Sequence, residues 1–340
     1  MPLSAPPVAF AFPVLIADIG GTNARFALVE RPGDAPRDLG RTATRAFADP
    51  ISAIRAVALA GLERTPRTAV MAIAAPIDGD FVAFTNCPWV LEPKAMIAEL
   101  GFDDVVVIND FEAQGLALPT LADTDVVTIG RGLAEPQATK LVVGPGTGLG
   151  VGVLVHSRGA WIPVPGEGGH VTFAPEGARE RAIADLITAE AGRVTVEHVV
   201  SGAGLVRLHR AIRSLDGGPV EAIDPAGVVA AAGAGEATAV EVLEIFAVAL
   251  GRFAGDMALV SLPHGGVHIA GGIPPRILPF LTDGRFRAAF EDKEPYRPMM
   301  AGFSTRVVVN PTPAFVGLAA FATRPDLYAV DLDGRRWRRT

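Results

Sequence analysis

The residues Asp18-Ile19-Gly20-Gly21-Thr22-Asn23 combine what an anionic ligand needs. The glycines let a backbone approach phosphate closely, Thr22 offers a hydroxyl, and the Asp18 carboxylate can orient a hydrated Mg²⁺. An ordinary hairpin turn has the same composition. Gly144 to Gly150 (GPGTGLG) carries four glycines in seven positions, so the N–H groups around Gly146, Thr147 and Gly148 can converge on an anion. Read alone it is equally a glycine-rich β-turn. Asn109-Asp110 closes an apolar run, where a carboxylate partly shielded from water can hold a raised pKa and accept a hydroxyl proton. The competing role for Asp110 is a helix N-cap ahead of Phe111-Glu112-Ala113. In Pro165-Gly166-Glu167-Gly168-Gly169-His170, Glu167 and His170 sit among glycines and could grip several hydroxyls at once, or form a loop with one satisfied histidine. No second His or Cys lies at ligand spacing, so this segment is not a metal site. Phosphoryl transfer to a hydroxyl is the chemistry that uses all these parts: anion donors, a metal, a base and exclusion of water.

The elements that must position these residues are legible from periodicity. VLIADIGGTNARFALVE reads strand, glycine turn, strand. A dinucleotide fold or a P-loop would need a helix after the glycines, so this turn belongs to another phosphate-binding class. Residues 52–62 read as an amphipathic helix, 69–75 as a buried strand, and 81–84 as a short strand after an Asp78-Gly79 turn. In VVVINDFEAQGLAL a β-branched run ends at Asn109-Asp110 and helical spacing begins, placing both residues at the carboxyl end of a strand, the edge where open α/β sheets bind ligands. LVVGPGTGLGVGVLV repeats the opening plan, which predicts two similar halves, each with one Gly-Thr loop. A long helix over about 237–262 gathers Glu241, Glu244, Arg252 and Asp256 in one arc and buries the rest. GVHIAGGIPPRILPF reads strand, double glycine, then helix with proline in its first turn. The closing DGRRWRRT reads as a solvated basic tail.

Composition bounds the rest. At 340 residues and 49% hydrophobic content the chain can bury a large core, and its length favours two domains. A net charge of -7 supplies no basic face for nucleic acid or for an acidic membrane. The single Cys87 forms no intrachain disulfide and no thiolate zinc cluster, which fits the cytoplasm. The N-terminus lacks Lys or Arg ahead of its apolar stretches and is interrupted by prolines, unlike a signal peptide. Met257 to Pro275, although uncharged, contains Pro263, two histidines and four glycines and is no membrane span.

Taken in order, these segments resemble the bacterial glucokinase family within the actin, Hsp70 and sugar-kinase superfamily. The likeness runs through DIGGTNARFAL (18–28), MAIAAPIDGDFVAFTNCPWVL (71–91), INDFEAQGLALP (108–119), GPGTGLGVGVLV (144–155), PGEGGHVTFAP (165–175), EHVVSGAGLVRLHRAI (197–212), IAGGIPPR (269–276) and FRAAFEDK (286–293). It implies an α/β fold of the two-domain actin-like ATPase (ribonuclease H-like) type with the active site in the interdomain cleft. The small domain would take 1–119 plus 311–340, including a returning helix near 311–328, and the large domain 120–310. It further implies that Asn109, Asp110, Glu167, His170 and Glu197 bind glucose and that Asp110 is the catalytic base. Thr85 and Asn86 would flank the sugar. The two Gly-Thr loops would face the phosphates of Mg-ATP, and Gly271-Gly272 the adenosine. Glu197 precedes an apolar helix start, so its residues alone read as a surface charge. Two departures stand out: Pro145 removes an N–H donor from the second loop, and SGAGL around Ser201 replaces a segment that often has proline. The implied reaction is phosphorylation of the glucose 6-hydroxyl, with another hexose, a sugar-responsive regulator or an acceptor-free ATPase as alternatives. Partners are expected to be glucose, ATP and a second copy in a homodimer, with no nucleic acid and no membrane.

Overall fold

The computed structural model describes residues 9–77, 79–84 and 87–339. They group into two units. One takes the described residues up to Ala122, together with Leu154–Pro165 and those from Pro311 onward; the other takes Asp123–Val153 and Gly166–Asn310. Leu154–Pro165, which the sequence reading kept in the large domain, therefore groups with the N- and C-terminal segments.

In the first unit the strands are β1 (Val14–Ile19), β2 (Asn23–Val29), β3 (Arg37–Ala43), β4 (Thr68–Ile73), the short pair β5 (Val82–Ala83) and β6 (Val90–Leu91), and β7 (Asp104–Asn109). A last strand near the C-terminus, β14 (Arg336–Arg338), joins the same sheet, which runs β14-β7-β4-β1-β2-β3. β1 and β2 are antiparallel with Asp18 opposite Arg25, while β1, β4 and β7 are mutually parallel. The period of two along β1 sends Leu15, Ala17 and Ile19 to one core and Val14 and Ile16 to the other. Both faces are thus buried, as a parallel sheet covered by helices requires. The first core is closed by the helices Pro50–Ala53 and Pro93–Leu100, the second by Asp110–Ala117 and Pro313–Thr323.

The other sheet is built from β8 (Val126–Thr128), β9 (Lys140–Pro145), β10 (Leu149–Ser157), β11 (Ala160–Gly166), β12 (Val267–Ile269) and β13 (Thr305–Val308), of which the Leu154–Ser157 end of β10 and all of β11 but Gly166 group with the first unit. Their order is β11-β10-β9-β12-β13-β8, and β9, β12 and β13 are parallel. Matched strand for strand, β3-β2-β1-β4-β7 and β11-β10-β9-β12-β13 follow one plan, and each sheet ends in an antiparallel strand, β14 or β8. The repeat inferred from two Gly-Thr turns extends to whole sheets.

Three expectations are corrected. The basic C-terminal stretch is no solvated tail: β14 pairs antiparallel with β7, Trp337 is buried, and Arg336 Nε donates to both carboxylate oxygens of Asp104 at 3.1 and 3.0 Å. Local composition shows only the charges; the unpaired edge of β7 that recruits this segment is a tertiary fact. The helix predicted over 52–62 is one α-turn, Pro50–Ala53, continued by a π-helix over Ile54–Leu59. On the long helix Ala237–Ser261, Arg252 lies in the predicted polar arc yet is buried, paired with Glu180 at 2.9 Å and donating to the carbonyl of Ala174 at 2.6 Å. A buried guanidinium is tolerated there because its charge is paired with Glu180 and both of its terminal nitrogens find acceptors.

Candidate active site

In the first unit the Gly-Thr loop joins β1 to β2. Its first glycine closes the turn, Gly20 N–H donating to the carbonyl of Asn23 at 2.9 Å. Thr44 pins the loop from the side: its N–H donates to Thr22 O at 3.0 Å and its hydroxyl to Gly21 O at 2.8 Å. Thr22 and Asn23 are left exposed at the tip. Asp18 leads into this loop from the end of β1. Burial pushes its carboxyl up from the ordinary value, opposed by the Arg25 guanidinium across the strand pair.

β7 delivers Asn109 and Asp110 at its carboxyl end, two strands along from β1 in the same sheet. The cap is Asn109. Its side-chain oxygen accepts from Phe111 N–H at 2.9 Å and Glu112 N–H at 3.3 Å, and Glu112 returns the contact by accepting from Asn109 N–H. The reading of Asp110 as the helix N-cap is therefore corrected. Asp110 is the first residue of the helix, half-buried, with Oδ1 accepting from Phe111 N–H at 3.0 Å. The N-D-F-E order carried this signal, since Glu three residues after Asn is a capping box. Glu112 itself is buried; desolvation raises its carboxyl, and the Arg335 guanidinium at 2.8 Å draws it back down. Thr85 and Asn86 lie outside the described residues.

The second unit builds its loop alike. Gly146 N–H donates to Gly148 O at 2.8 Å, and Thr147 is exposed at the tip. Gly271, at φ +88°, turns the chain so tightly against this loop that a Cβ would lie 2.4 Å from the carbonyl oxygen of Pro145. Gly271-Gly272 and Gly146-Thr147-Gly148 are thus neighbours. Pro145 ends β9, where it offers only a carbonyl.

Glu197 is the residue the sequence understated. It is half-buried in the short 3-10 turn Val196–His198, and Oε2 accepts from Leu149 N–H, the exit of the second loop, at 2.7 Å. That oxygen lies so near that a Cβ on Gly148 would meet it at 2.4 Å. Ser201, in the segment without proline, caps the helix Gly202–Leu215 by accepting from Gly204 N–H at 3.0 Å, and its hydroxyl donates to Glu197 O at 2.7 Å. Gly202 N–H reaches Gly146 O at 2.8 Å. Glu167 and His170 flank the adjoining 3-10 turn Gly168–His170, both exposed, with His170 Nε2 3.9 Å from Glu167 Oε2. Val196 N–H donates to Val171 O at 3.0 Å, tying that turn to the Glu197 turn. One unit thus gathers Glu167, His170, Glu197, Gly271, Gly272 and its Gly-Thr loop; the other gathers Asp18, its own loop, Asn109 and Asp110.

A family model described as Glucokinase matches residues 15–325. The chain belongs to the glucokinase family. A Glucokinase of Rhizobium meliloti (strain 1021) is 47% identical over 331 residues, which are 97% of this chain and 98% of that one. A crystal structure of glucokinase from an Antarctic psychrotroph is 30% identical with a TM-score of 0.80, covering 91% of this chain and 98% of its own. A ROK family glucokinase from Streptomyces griseus, in complex with glucose and AMPPNP, has a TM-score of 0.65 at 20% identity and covers 92% of this chain and 100% of its own. The fold is the two-domain actin-like ATPase fold of glucokinases.

A magnesium ion is implied by the family's chemistry. Among the described residues no group of three or more His, Cys, Asp or Glu forms a metal cage. In phosphoryl transfer magnesium is held by substrate phosphates and one or two carboxylates and keeps several waters. Asp18, a carboxylate whose charge is disfavoured by burial and favoured by Arg25, and which lies beside the first Gly-Thr loop, would be the residue to hold it.

Proposed function

We propose that this chain is an ATP-dependent glucokinase that transfers the γ-phosphoryl group of ATP to the 6-hydroxyl of glucose, with Asp110 as general base. The observation that carries the reading is the arrangement at the end of β7: Asn109 makes the capping box, and Asp110 follows as the first residue of the helix with Oδ1 accepting from Phe111 N–H, a carboxylate fixed at the carboxyl end of the strand. Family membership, and glucose with an ATP analogue in the Streptomyces griseus relative, support the substrates.

In this mechanism Asn109, Glu167, His170 and Glu197 bind sugar hydroxyls, and Thr85 and Asn86 flank them. Carboxylates accept from hydroxyl pairs, while neutral histidine donates or accepts. The Gly20 to Asn23 and Gly146 to Gly148 loops offer backbone N–H groups and threonine hydroxyls to the phosphates, and Gly271-Gly272 borders the adenosine. Asp110 takes the proton of the 6-hydroxyl as that oxygen bonds to the γ-phosphorus and the bond to the β,γ-bridging oxygen breaks, giving glucose 6-phosphate and ADP. Asp18 would hold the magnesium ion, which would supply positive charge against the phosphate oxygens. A base of this kind contributes roughly 10²–10⁴-fold, with positioning and electrostatics supplying the rest. We assign the enzyme to the first step of glycolysis in the cytoplasm, as a homodimer; light scattering that returns the mass of one 35.3 kDa chain overturns the last point.

The test is a coupled assay of ADP release over a panel of hexoses and phosphoryl donors, run on the native enzyme and on Asp110→Asn. Glucose with ATP should give the highest kcat/KM. Asp110→Asn should lose at least about 100-fold in kcat while binding glucose within about tenfold of the native enzyme. Near-native turnover in that variant removes Asp110 from the base role, and a higher kcat/KM for mannose, fructose or an amino sugar reassigns the acceptor.

A further inference from the structure

The C-terminal segment lies beyond the residues matched by the family model and has no part in the mechanism above, yet it reaches the strand end that carries Asp110. Arg335 makes two contacts there. Its carbonyl accepts from Val107 N–H at 3.0 Å, two residues before Asn109. Its guanidinium donates to Glu112 Oε2 at 2.8 Å. That same oxygen accepts from Asn109 N–H at 3.4 Å, the return half of the capping box. The Glu112 side chain is 2% exposed against 22% for Arg335, so the carboxylate has almost no water to share its charge with.

We infer that Arg335 is a positioning residue for the proposed base: acting through Glu112, it holds the Asn109-Asp110 turn at the geometry the reaction needs. This rests on the assignment of Asp110 as base. The link is electrostatic as well as steric. Arg335 and Asp331 face Glu112 from the C-terminal segment, Arg335 favouring the charged carboxylate and Asp331 opposing it, while Asp110 precedes it in the same helical turn. Without Arg335, Glu112 keeps a proton at low pH and remains in its pocket. As pH rises through its further raised pKa, an unpaired buried charge develops and draws the side chain toward water, away from Asn109 N–H. A group whose folded-state pKa is raised loses its stabilising contribution as pH rises, so the defect belongs on the alkaline side.

The experiment is a double-mutant cycle in kcat, with Arg335→Met, Glu112→Gln and the double variant assayed from about pH 6 to about pH 9, and with thermal melting of each. Glutamine stays neutral and can still accept from Asn109 N–H. Arg335→Met should lose about tenfold in kcat at the alkaline end and much less at the acid end, with KM for ATP within about twofold. In the Glu112→Gln background the same change should cost less than about twofold at every pH. A loss from Arg335→Met that is the same in both backgrounds, or flat with pH, overturns the inference and leaves Arg335 a turn residue leading into β14. Should Arg335→Met not fold, Arg335→Lys replaces it: the longer reach of the guanidinium fork is lost but the charge is kept, so a loss that disappears in the Glu112→Gln background supports the link and an equal loss overturns it. Asp110→Asn separates the two claims. Near-native turnover there removes the base assignment whatever the cycle shows, whereas an inactive Asp110→Asn with an additive cycle removes only the role of Arg335.

Discussion

Asn109 and Asp110 are adjacent polar residues that do different work: both accept from Phe111 N–H, but only Asn109 also accepts from Glu112 N–H and completes the capping box. Asn109 satisfies the first N–H groups of the helix, a contribution of about 1 kcal/mol for a cap of this type, while Asp110 starts the helix beside it. Glu197 carries a similar division within one carboxylate. Oε2 accepts the Leu149 N–H, so the side chain that is proposed to bind sugar also holds the exit of the second Gly-Thr loop. Gly148 tests this without altering a polar group. A Cβ there would lie 2.4 Å from Glu197 Oε2 and must displace it. Gly148→Ala should weaken glucose binding measured calorimetrically without nucleotide by about tenfold or more, since small misplacements of a binding group are costly. An unchanged glucose affinity would separate Glu197 from the sugar site.

At the scale of elements, the helix Asp110–Ala117 is held from several sides. β7 feeds its start, β14 braces β7, and Tyr328 donates its hydroxyl to Leu116 O at 3.2 Å. The helix Pro313–Thr323 crosses it at Gly317, where a Cβ would come within 1.9 Å of the Ala113 carbonyl oxygen. Only glycine permits so close an approach of two backbones. Gly317→Ala should therefore cost about 1–3 kcal/mol, read from urea unfolding, because the helices must move apart. The helix that moves also carries Asp110, so kcat should fall with glucose KM little changed; full activity in the alanine variant would show that Asp110 tolerates a shift of its helix.

For the whole molecule, one buried group sets an acid limit on stability. His268, in the middle of β12, is buried, and its pKa is pushed down to about 3 by desolvation first, then by the charges of Lys140 and Arg306. It folds neutral. Below its ordinary value of 6.5 the unfolded chain takes up a proton that the folded chain refuses, so stability is lost progressively as pH falls from there toward the folded value. At about pH 5 this amounts to about 2 kcal/mol. His268→Leu should flatten the decline in Tm between neutral pH and about pH 5, and a decline as steep as in the native protein would place the acid sensitivity elsewhere.

What the sequence determined by itself was local. The continuous apolar run at 14–17 and the β-branched run before Asn109 specify strands, and the glycines at 20–21 and 146–148 specify turns, because a turn's conformation depends on its own residues. Their order along the chain carried the family resemblance, and N-D-F-E held the capping box for a reader who counted to Glu112. Tertiary structure decided whatever depended on residues far apart in sequence. The edge of β7 turned a basic tail into β14, and Glu180 made a buried place for Arg252. The exit of the second loop drew in Glu197, 48 residues away. A charge is written in sequence, but its partner is found only when the chain has folded, and desolvation then makes that pairing obligatory.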